Sequence, residues 1–305
     1  MPAHLEAKKL VRRYGSFTAL DELSFNVPAG STTAFIGANG AGKTTTFSII
    51  AEYIKANSGE ILIDKEDHKF YRKRGGIIGL LPQGVQFYED RKVHRQLFLF
   101  ARLSGMSATE SQIETNRVLN LMSLTEKRNE KVSSLSQGMK IRLAIAQTLI
   151  GDPPILILDE PTAGLDPKMV QEFRNLIERL RGSTTILISS HVLSELENLC
   201  DHVIIIDKGK LVKQGPLKDL TKRQSQIVFE LNGLKQHYET LIKDFTQYTF
   251  EFTEPKLTLK LDQSNMDIAK VNREIFSWCI TKEVDVLSIS SQKSLENTYF
   301  KLLNP

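Results

Sequence analysis

The sequence predicts an α/β fold, a mostly parallel sheet wrapped by helices, followed by a smaller α+β domain of ferredoxin-like type. Three features predict it. Residues 155–158 (Ile-Leu-Ile-Leu) and 185–188 (Thr-Ile-Leu-Ile) lack polar alternation, as strands covered on both faces do. Stretches of helical period separate such strands, which is the pattern of an α/β sheet. Beyond about residue 223 the pattern changes to short strands of alternating polarity.

The elements follow in order. Residues 9–12, 23–27 and 32–36 read as β segments, 37–42 as a Gly-rich turn, and a helix is expected through Phe47, Ile50 and Tyr53. Residues 60–63 and 76–81 read as strands. From about 93 to 122 the spacing of Leu97, Phe100, Leu103, Ile113 and Leu121 is helical, and a further helix from Ser136 carries Ile141, Leu143, Ile145 and Leu149. Between the strands at 155–158 and 185–188, Met169, Phe173, Leu176, Ile177 and Leu180 form one helical face. Residues 1–222 are therefore expected to form one domain, with a helical subdomain at about 84–150. A break is expected near 223–225, after Gly215, Pro216 and a stretch rich in Lys and Arg. Beyond it, strand 226–231, helix 234–243, strands 248–252 and 257–261, helix 266–280, strand 284–290 and helix 294–303 are expected. That β-α-β-β-α-β order is the ferredoxin-like split arrangement, assigned to an accessory domain at 223–305.

Bulk properties narrow the function. With 41% apolar and 25% charged residues, the 305-residue chain has ordinary globular composition. A net charge of +4 is too small to predict nucleic-acid binding, and none is expected. Cys200 and Cys279 show neither metal-ligand nor redox spacing, which fits a reducing compartment. The first ten residues carry His4, Glu6, Lys8 and Lys9 and do not read as a signal peptide. The longest apolar run, residues 97–101, has five residues, whereas a bilayer span needs roughly 20. The chain is expected to be soluble and to reach a membrane only through a partner.

Gly37-Ala38-Asn39-Gly40-Ala41-Gly42-Lys43-Thr44 fits G-x-x-x-x-G-K-[ST] between an expected strand and helix, the context that gives the motif meaning. Small residues at Gly37, Gly40 and Gly42 let phosphate oxygens approach backbone N–H groups, and the helix N-terminus favours the anion. Lys43 offers a charge to the β- and γ-phosphates, and the Thr44 hydroxyl can ligate Mg²⁺. Asp159 and Glu160 end the strand at 155–158, and ligand sites in such sheets lie at the carboxyl ends of strands. Asp159 is suited to hold Mg²⁺ there, and Glu160 to polarise an attacking water.

With these motifs in place, the chain resembles the ATP-binding-cassette family over about residues 5–220. Leu135-Ser136-Gln137-Gly138-Met139 stands where that family's L-S-G-G-Q signature falls, and Gln83 where its coupling glutamine falls. Pro161 and Ala163-Gly164-Leu165-Asp166 resemble the segment after the acidic pair. His191, after Ser189 and Ser190, resembles the switch histidine, and Tyr14 the aromatic that stacks on adenine. The resemblance implies ATP and Mg²⁺ as cofactors. It implies that Tyr14, Asn39, Ala41, Thr45 and the rest of the loop contact the nucleotide, and that Gln83, by touching Mg²⁺ or water in one state and releasing it in another, reports the nucleotide state. Ser136 and Gly138 then grip the γ-phosphate of ATP on a second protomer, His191 orients the water, and Asp166 contacts the partner. Gln137 and Met139 depart from the usual signature and leave its geometry open.

The L-S-x-G-M signature and the C-terminal domain, ending in residues 294–300, resemble ATPases of bacterial exporters with separately encoded permeases. Such a chain works at the cytoplasmic face of the membrane. Residues 84–103, with Phe87, Tyr88, Val93, Leu97 and Phe98, correspond to the groove that receives the permease. The alternatives are a soluble cassette ATPase of DNA repair or translation, and a scaffold that does not hydrolyse ATP. A single phosphate loop and the absence of sustained heptads weigh against the first, and Lys43 with Glu160 against the second.

Overall fold

The structure, a computed structural model of the chain, describes residues 1–67, 78–190, 192–221, 225–232, 235–253, 256–260 and 268–293, with 295, 299 and 302. It divides into two units, Met1–Gly215 and Pro216–Pro305. The division falls before the expected break at 223. Gly215 and Pro216 close a strand, where proline cannot donate to the ladder, and a one-turn helix follows within the second unit.

The first unit opens with β1 (Leu5–Tyr14) and β2 (Phe17–Val27), an antiparallel hairpin whose strands extend well beyond the expected segments. Then come β3 (Thr32–Ile36), α1 (Lys43–Ile50), β4 (Ser58–Ile63), β5 (Glu66–Asp67) and β6 (Ile78–Leu81). The expected strand at 76–81 has its first two residues outside the described ones. The helical region contributes α2 (Val93–Leu103), α3 (Ala108–Leu121) and α4 (Gln137–Thr148). The chain returns through β7 (Ile155–Asp159), α5 (Pro167–Leu180), β8 (Thr185–Ser189), α6 (Leu193–Glu197), β9 (His202–Asp207) and β10 (Lys210–Pro216).

Two sheets share the core. The outer one has the order β2-β1-β4-β5, and the central one β10-β9-β3-β8-β7-β6. In the central sheet β3 runs parallel to β8 and β9, and β7 parallel to β6 and β8. Every residue of β3, β7 and β8 is buried, which explains their unbroken apolar character. Phe35 joins the layers: its ring lies 5.3 Å from Phe25 of β2 and 5.2 Å from Phe47 of α1.

Two helices end sooner than the apolar spacing suggests. α1 stops at Ile50 in a Schellman turn: Glu52 N–H donates to Ile49 O (3.0 Å), Tyr53 N–H donates to Ser48 O (2.8 Å), and Glu52 takes a φ of 60°. Tyr53 is thereby left exposed. The stretch 93–122 is two helices, because Gly105 has a φ of 90° and Ser107 with Glu110 forms a capping box that starts α3. The break shifts the helical phase and leaves Leu103 and Ile113 on the surface, while Leu97 stays fully buried.

The second unit contains α7 (Leu217–Thr221), β11 (Ser225–Asn232), α8 (Lys235–Asp244), β12 (Thr249–Thr253), β13 (Lys256–Lys260), α9 (Ile268–Thr281) and β14 (Asp285–Lys293). Its sheet has the order β12-β13-β11-β14, and each neighbouring pair is antiparallel. Phe229, Leu231, Tyr238, Leu241, Val271, Ile275 and Trp278 fill its own core. Of the helix expected at 294–303, Leu295, Tyr299 and Leu302 are helical and the rest lies outside the described residues.

Candidate nucleotide-binding site

The parallel strands bring their carboxyl ends to one edge of the central sheet. Register places Leu81 beside Leu158 and Asp159 beside Ser189. The Gly-rich loop after β3 opens at the same edge.

The loop has the composition its geometry demands. Gly42 is the N-cap of α1 with a φ of 107°, and a Cβ there would lie 2.7 Å from Leu20 Cδ2 and 2.9 Å from Ala19 O. A Cβ on Gly37 would lie 2.7 Å from Ile206 O and 2.8 Å from Ala41 Cβ. Both positions therefore admit only glycine. No side chain caps α1 and no acid sits in its first turn, so its N-terminal N–H groups and positive dipole end face the loop. Thr44, Thr45 and Thr46 follow, and Thr46 Oγ1 donates back to Gly42 O at 2.8 Å. Lys43 is buried, and its ammonium donates to Gly37 O (2.8 Å) and Ala38 O (3.3 Å). The cation sits over the loop's own carbonyls, at the centre of the cradle. Asn39 and Gly40 form the exposed tip, and Ala41 beneath them is buried.

The acidic pair is organised by hydroxyls. Asp159 is buried; Thr44 Oγ1 donates to its Oδ2 at 3.0 Å, and Ser189 Oγ donates to its Oδ1 at 2.6 Å. Ser189 Oγ also accepts from Glu160 N–H at 2.9 Å. One fully buried serine thus fixes the carboxylate of Asp159 and the backbone of Glu160 together. Glu160 is held at a φ of 53°, a left-handed conformation that turns the chain out of the strand. Strain of this kind in a non-glycine residue clusters at functional sites. Thr162 Oγ1 then donates to Glu195 Oε2 of α6 at 2.7 Å. Ser189 belongs to none of the sequence motifs. Its signal was its register opposite Asp159 at the end of the neighbouring strand.

The other expected residues are placed less centrally. Gln83 is exposed, two residues beyond the end of β6 at the same sheet edge. Tyr14 is exposed at the tip of the β1–β2 hairpin. Ser136 is exposed and N-caps α4, accepting from Met139 N–H at 3.3 Å. Gly138 lies in the first turn of that helix, where a Cβ would lie 3.0 Å from Met169 Sδ of α5. Asp166 N-caps α5 through Met169 N–H at 2.9 Å. Its observed contact is therefore within its own helix. His191 lies outside the described residues. In the segment expected to receive a permease, Val93 and Leu97 are core, whereas Tyr88 is exposed with the Arg91 guanidinium 4.9 Å from its ring centre.

Fold and site define a phosphate-loop ATPase. Residues 20–163 match the family model described as ABC transporter. The chain is 34% identical to the bacitracin transport ATP-binding protein BcrA of Bacillus licheniformis, over 99% of this chain and 98% of that one. It is 30% identical to the linearmycin resistance ATP-binding protein LnrL of Bacillus subtilis, over 98% and 97% of the two chains. Among solved structures, an ATP-binding subunit of an ABC transporter superposes with a TM-score of 0.63 at 28% identity, covering 72% of this chain and 92% of its own. The chain belongs to the ATP-binding proteins of ABC transporters. Both bacillar relatives match it nearly end to end, through the second unit as well as the first.

Proposed function

We propose that this chain binds ATP with Mg²⁺ and hydrolyses it in a head-to-tail dimer, powering export through a separately encoded permease at the cytoplasmic face of a membrane. The observation that carries the proposal is the convergence of Thr44 and Ser189 on the Asp159 carboxylate, with Glu160 fixed by the same serine. Thr44 and Asp159 supply hard oxygen donors, which suit Mg²⁺. Among the described residues no group of three or more His, Cys, Asp or Glu forms a metal cage. Asp159, Thr44 and the Gln83 side chain would hold the ion together with the nucleotide's own phosphates. When bound, the ion neutralises charge on the transferring phosphoryl group.

The protein's residues do the rest. The loop Gly37–Asn39–Gly40–Ala41–Gly42, with Lys43, Thr44 and Thr45, cradles the phosphates, and Tyr14 stacks on the base. Lys43 leaves Gly37 O for phosphate oxygens. Glu160 accepts the proton of the attacking water, and His191 orients that water against the γ-phosphate. Ser136 and Gly138 stand on an exposed helix N-terminus, a surface able to receive an anion from a second protomer. Asp166 lies on the exposed turn that would meet that protomer.

Residues 1–222 are read as the motor, with the helical subdomain at about 84–150, and 223–305 as an accessory domain of ferredoxin-like order. No described helix is long and apolar enough to cross a membrane. The two bacillar relatives are named for linearmycin resistance and bacitracin transport, and those names support the transport reading. The test is purification of the tagged full-length chain from a detergent extract of its native cell. A co-purifying chain with several apolar spans, and ATPase activity that rises when the two are joined in vesicles, is expected. Recovery with nucleic acid or ribosomes and no such chain would overturn the transport reading in favour of a soluble ABC-type ATPase.

A further inference from the structure

The proposed reaction makes no use of Arg12, yet the structure holds this side chain in place with unusual care. Arg12 and Tyr14 are two residues apart on β1, so their side chains leave the strand on the same face. The Arg12 guanidinium carbon lies 4.5 Å from the centre of the Tyr14 ring, within cation–π distance. Its Nη1 donates to Lys55 O at 2.9 Å. Its Nε is buried and has no hydrogen-bond partner among the described residues. An unsatisfied buried N–H is unfavourable, so the guanidinium is held there by the ring it covers and the carbonyl it reaches. The carbonyl is itself fixed. Asn57 N–H donates to Val11 O at 2.7 Å, and Arg13 N–H donates to Asn57 Oδ1 at 2.7 Å, which ties the segment after α1 to the end of β1.

The consequence concerns the two faces of the Tyr14 ring. One is covered by the Arg12 guanidinium, which Lys55 O anchors. Tyr14 as a residue is nevertheless 45% exposed, and with the guanidinium over one ring face, the other face is the one left for a partner. A planar base can stack only there. We propose that Arg12 is a positioning residue for the nucleotide base. It holds the Tyr14 ring in a fixed plane, and the purine completes a three-layer stack of guanidinium, phenol and base. The proposal rests on Tyr14 being the base platform.

The test compares ATP with inorganic tripolyphosphate, which offers the same phosphate chain and no base. Both are titrated calorimetrically into the full-length chain with Mg²⁺ present. Arg12→Met keeps a long apolar stem and removes the charge, and Arg12→Lys restores a cation and a donor for Lys55 O. Arg12→Met is expected to weaken ATP about 2- to 10-fold and leave tripolyphosphate unchanged, with Arg12→Lys recovering much of the loss. In a Tyr14→Ala background, which itself weakens ATP, Arg12→Met should have no further effect.

An equal loss for ATP and tripolyphosphate would mark Arg12 as merely structural and overturn the proposal. So would tighter ATP binding by Arg12→Met, since the guanidinium would then occupy the face the base needs. If Tyr14→Ala weakens ATP and Arg12→Met does not, the Arg12 inference fails and the base platform stands. If Tyr14→Ala leaves ATP affinity intact, the platform reading itself falls. A thermal melt of each variant identifies one that fails to fold, and the Arg12→Lys comparison then decides.

Discussion

Glu160 sits where two requirements conflict, and separating them gives a sharp prediction. Its φ of 53° places a non-glycine residue in the left-handed region at the end of a fully buried strand. A side chain in that conformation costs about 1–2 kcal/mol. Glu160→Gly removes that strain and loses about 0.5–1 kcal/mol through the added freedom of the unfolded chain. The remainder, about 0–1.5 kcal/mol, favours the glycine variant relative to Glu160→Gln, which keeps the strain and most of the side chain. For a unit of 150–250 residues this is up to about 6 °C in midpoint. Both variants lose the carboxylate proposed as proton acceptor, and on that proposal turnover should fall about 10²–10⁴-fold in each. Steady-state phosphate release and differential scanning calorimetry on nucleotide-free protein supply the two readouts. Slower turnover in both, with the glycine variant melting higher than the glutamine one, is expected. A glycine variant that melts lower would show that the conformation is not a stored cost. Near-normal turnover in Glu160→Gln would falsify its role as base.

Three further outcomes follow from the same geometry. Ser189→Ala removes a donor from a buried carboxylate and the acceptor of Glu160 N–H; it should cost about 1–3 kcal/mol and lower kcat more than ATP affinity, measured by calorimetry and steady-state kinetics, and an unchanged kcat would remove Ser189 from the site. Burial alone would raise the Glu114 pKa, but hydrogen bonds from Arg117 and Gly151 N–H and the Arg117 charge outweigh it and hold the carboxyl below its ordinary value. A depressed folded-state pKa means that this contribution is complete above the ordinary carboxylate value and is lost as pH falls through the folded one, so Glu114→Gln should lower the melting temperature at neutral pH and converge with the parent in acid. Finally, burial pushes the Cys200 and Cys279 thiols up, so both should stay unreactive towards a thiol reagent until the chain unfolds; labelling of either at the rate of an exposed cysteine would contradict the packing.

The phosphate loop and the acidic pair were legible because their chemistry is local: Gly37 to Thr44 and Asp159 with Glu160 are contiguous. The parallel strands were legible too, since β3, β7 and β8 are buried along their whole length and carry no polar alternation. What escaped depended on contacts between distant segments. Ser189 lies 30 residues from Asp159, and only strand register makes them neighbours. The Schellman end of α1 and the break before α3 were hidden because Tyr53 and Ile113 extend the apolar spacing while the chain turns away. Arg12 had no signal beyond its place two residues before Tyr14.

One asymmetry of the site bears on how it works. The groups that converge on Asp159 come from the central sheet and the first turn of α1. Ser136 belongs instead to the helical region, and its hydroxyl caps its own helix. That helix meets the rest of the unit where Arg142 Nη2 donates to Glu172 Oε2 at 2.6 Å and where Met169 lies against Gly138. Met169 and Glu172 belong to α5, whose N-cap is Asp166, six residues beyond Glu160. The chain that leaves Glu160 thus leads directly into the helix whose Met169 and Glu172 touch the helix that Ser136 caps. Removing the ion pair leaves the Asp159 site untouched, so Glu172→Gln should leave ATP affinity intact while weakening any ATP-dependent self-association seen by sedimentation. Unaltered association with reduced ATP affinity would place Glu172 in support of the phosphate site and would break this link between the two ends of α5.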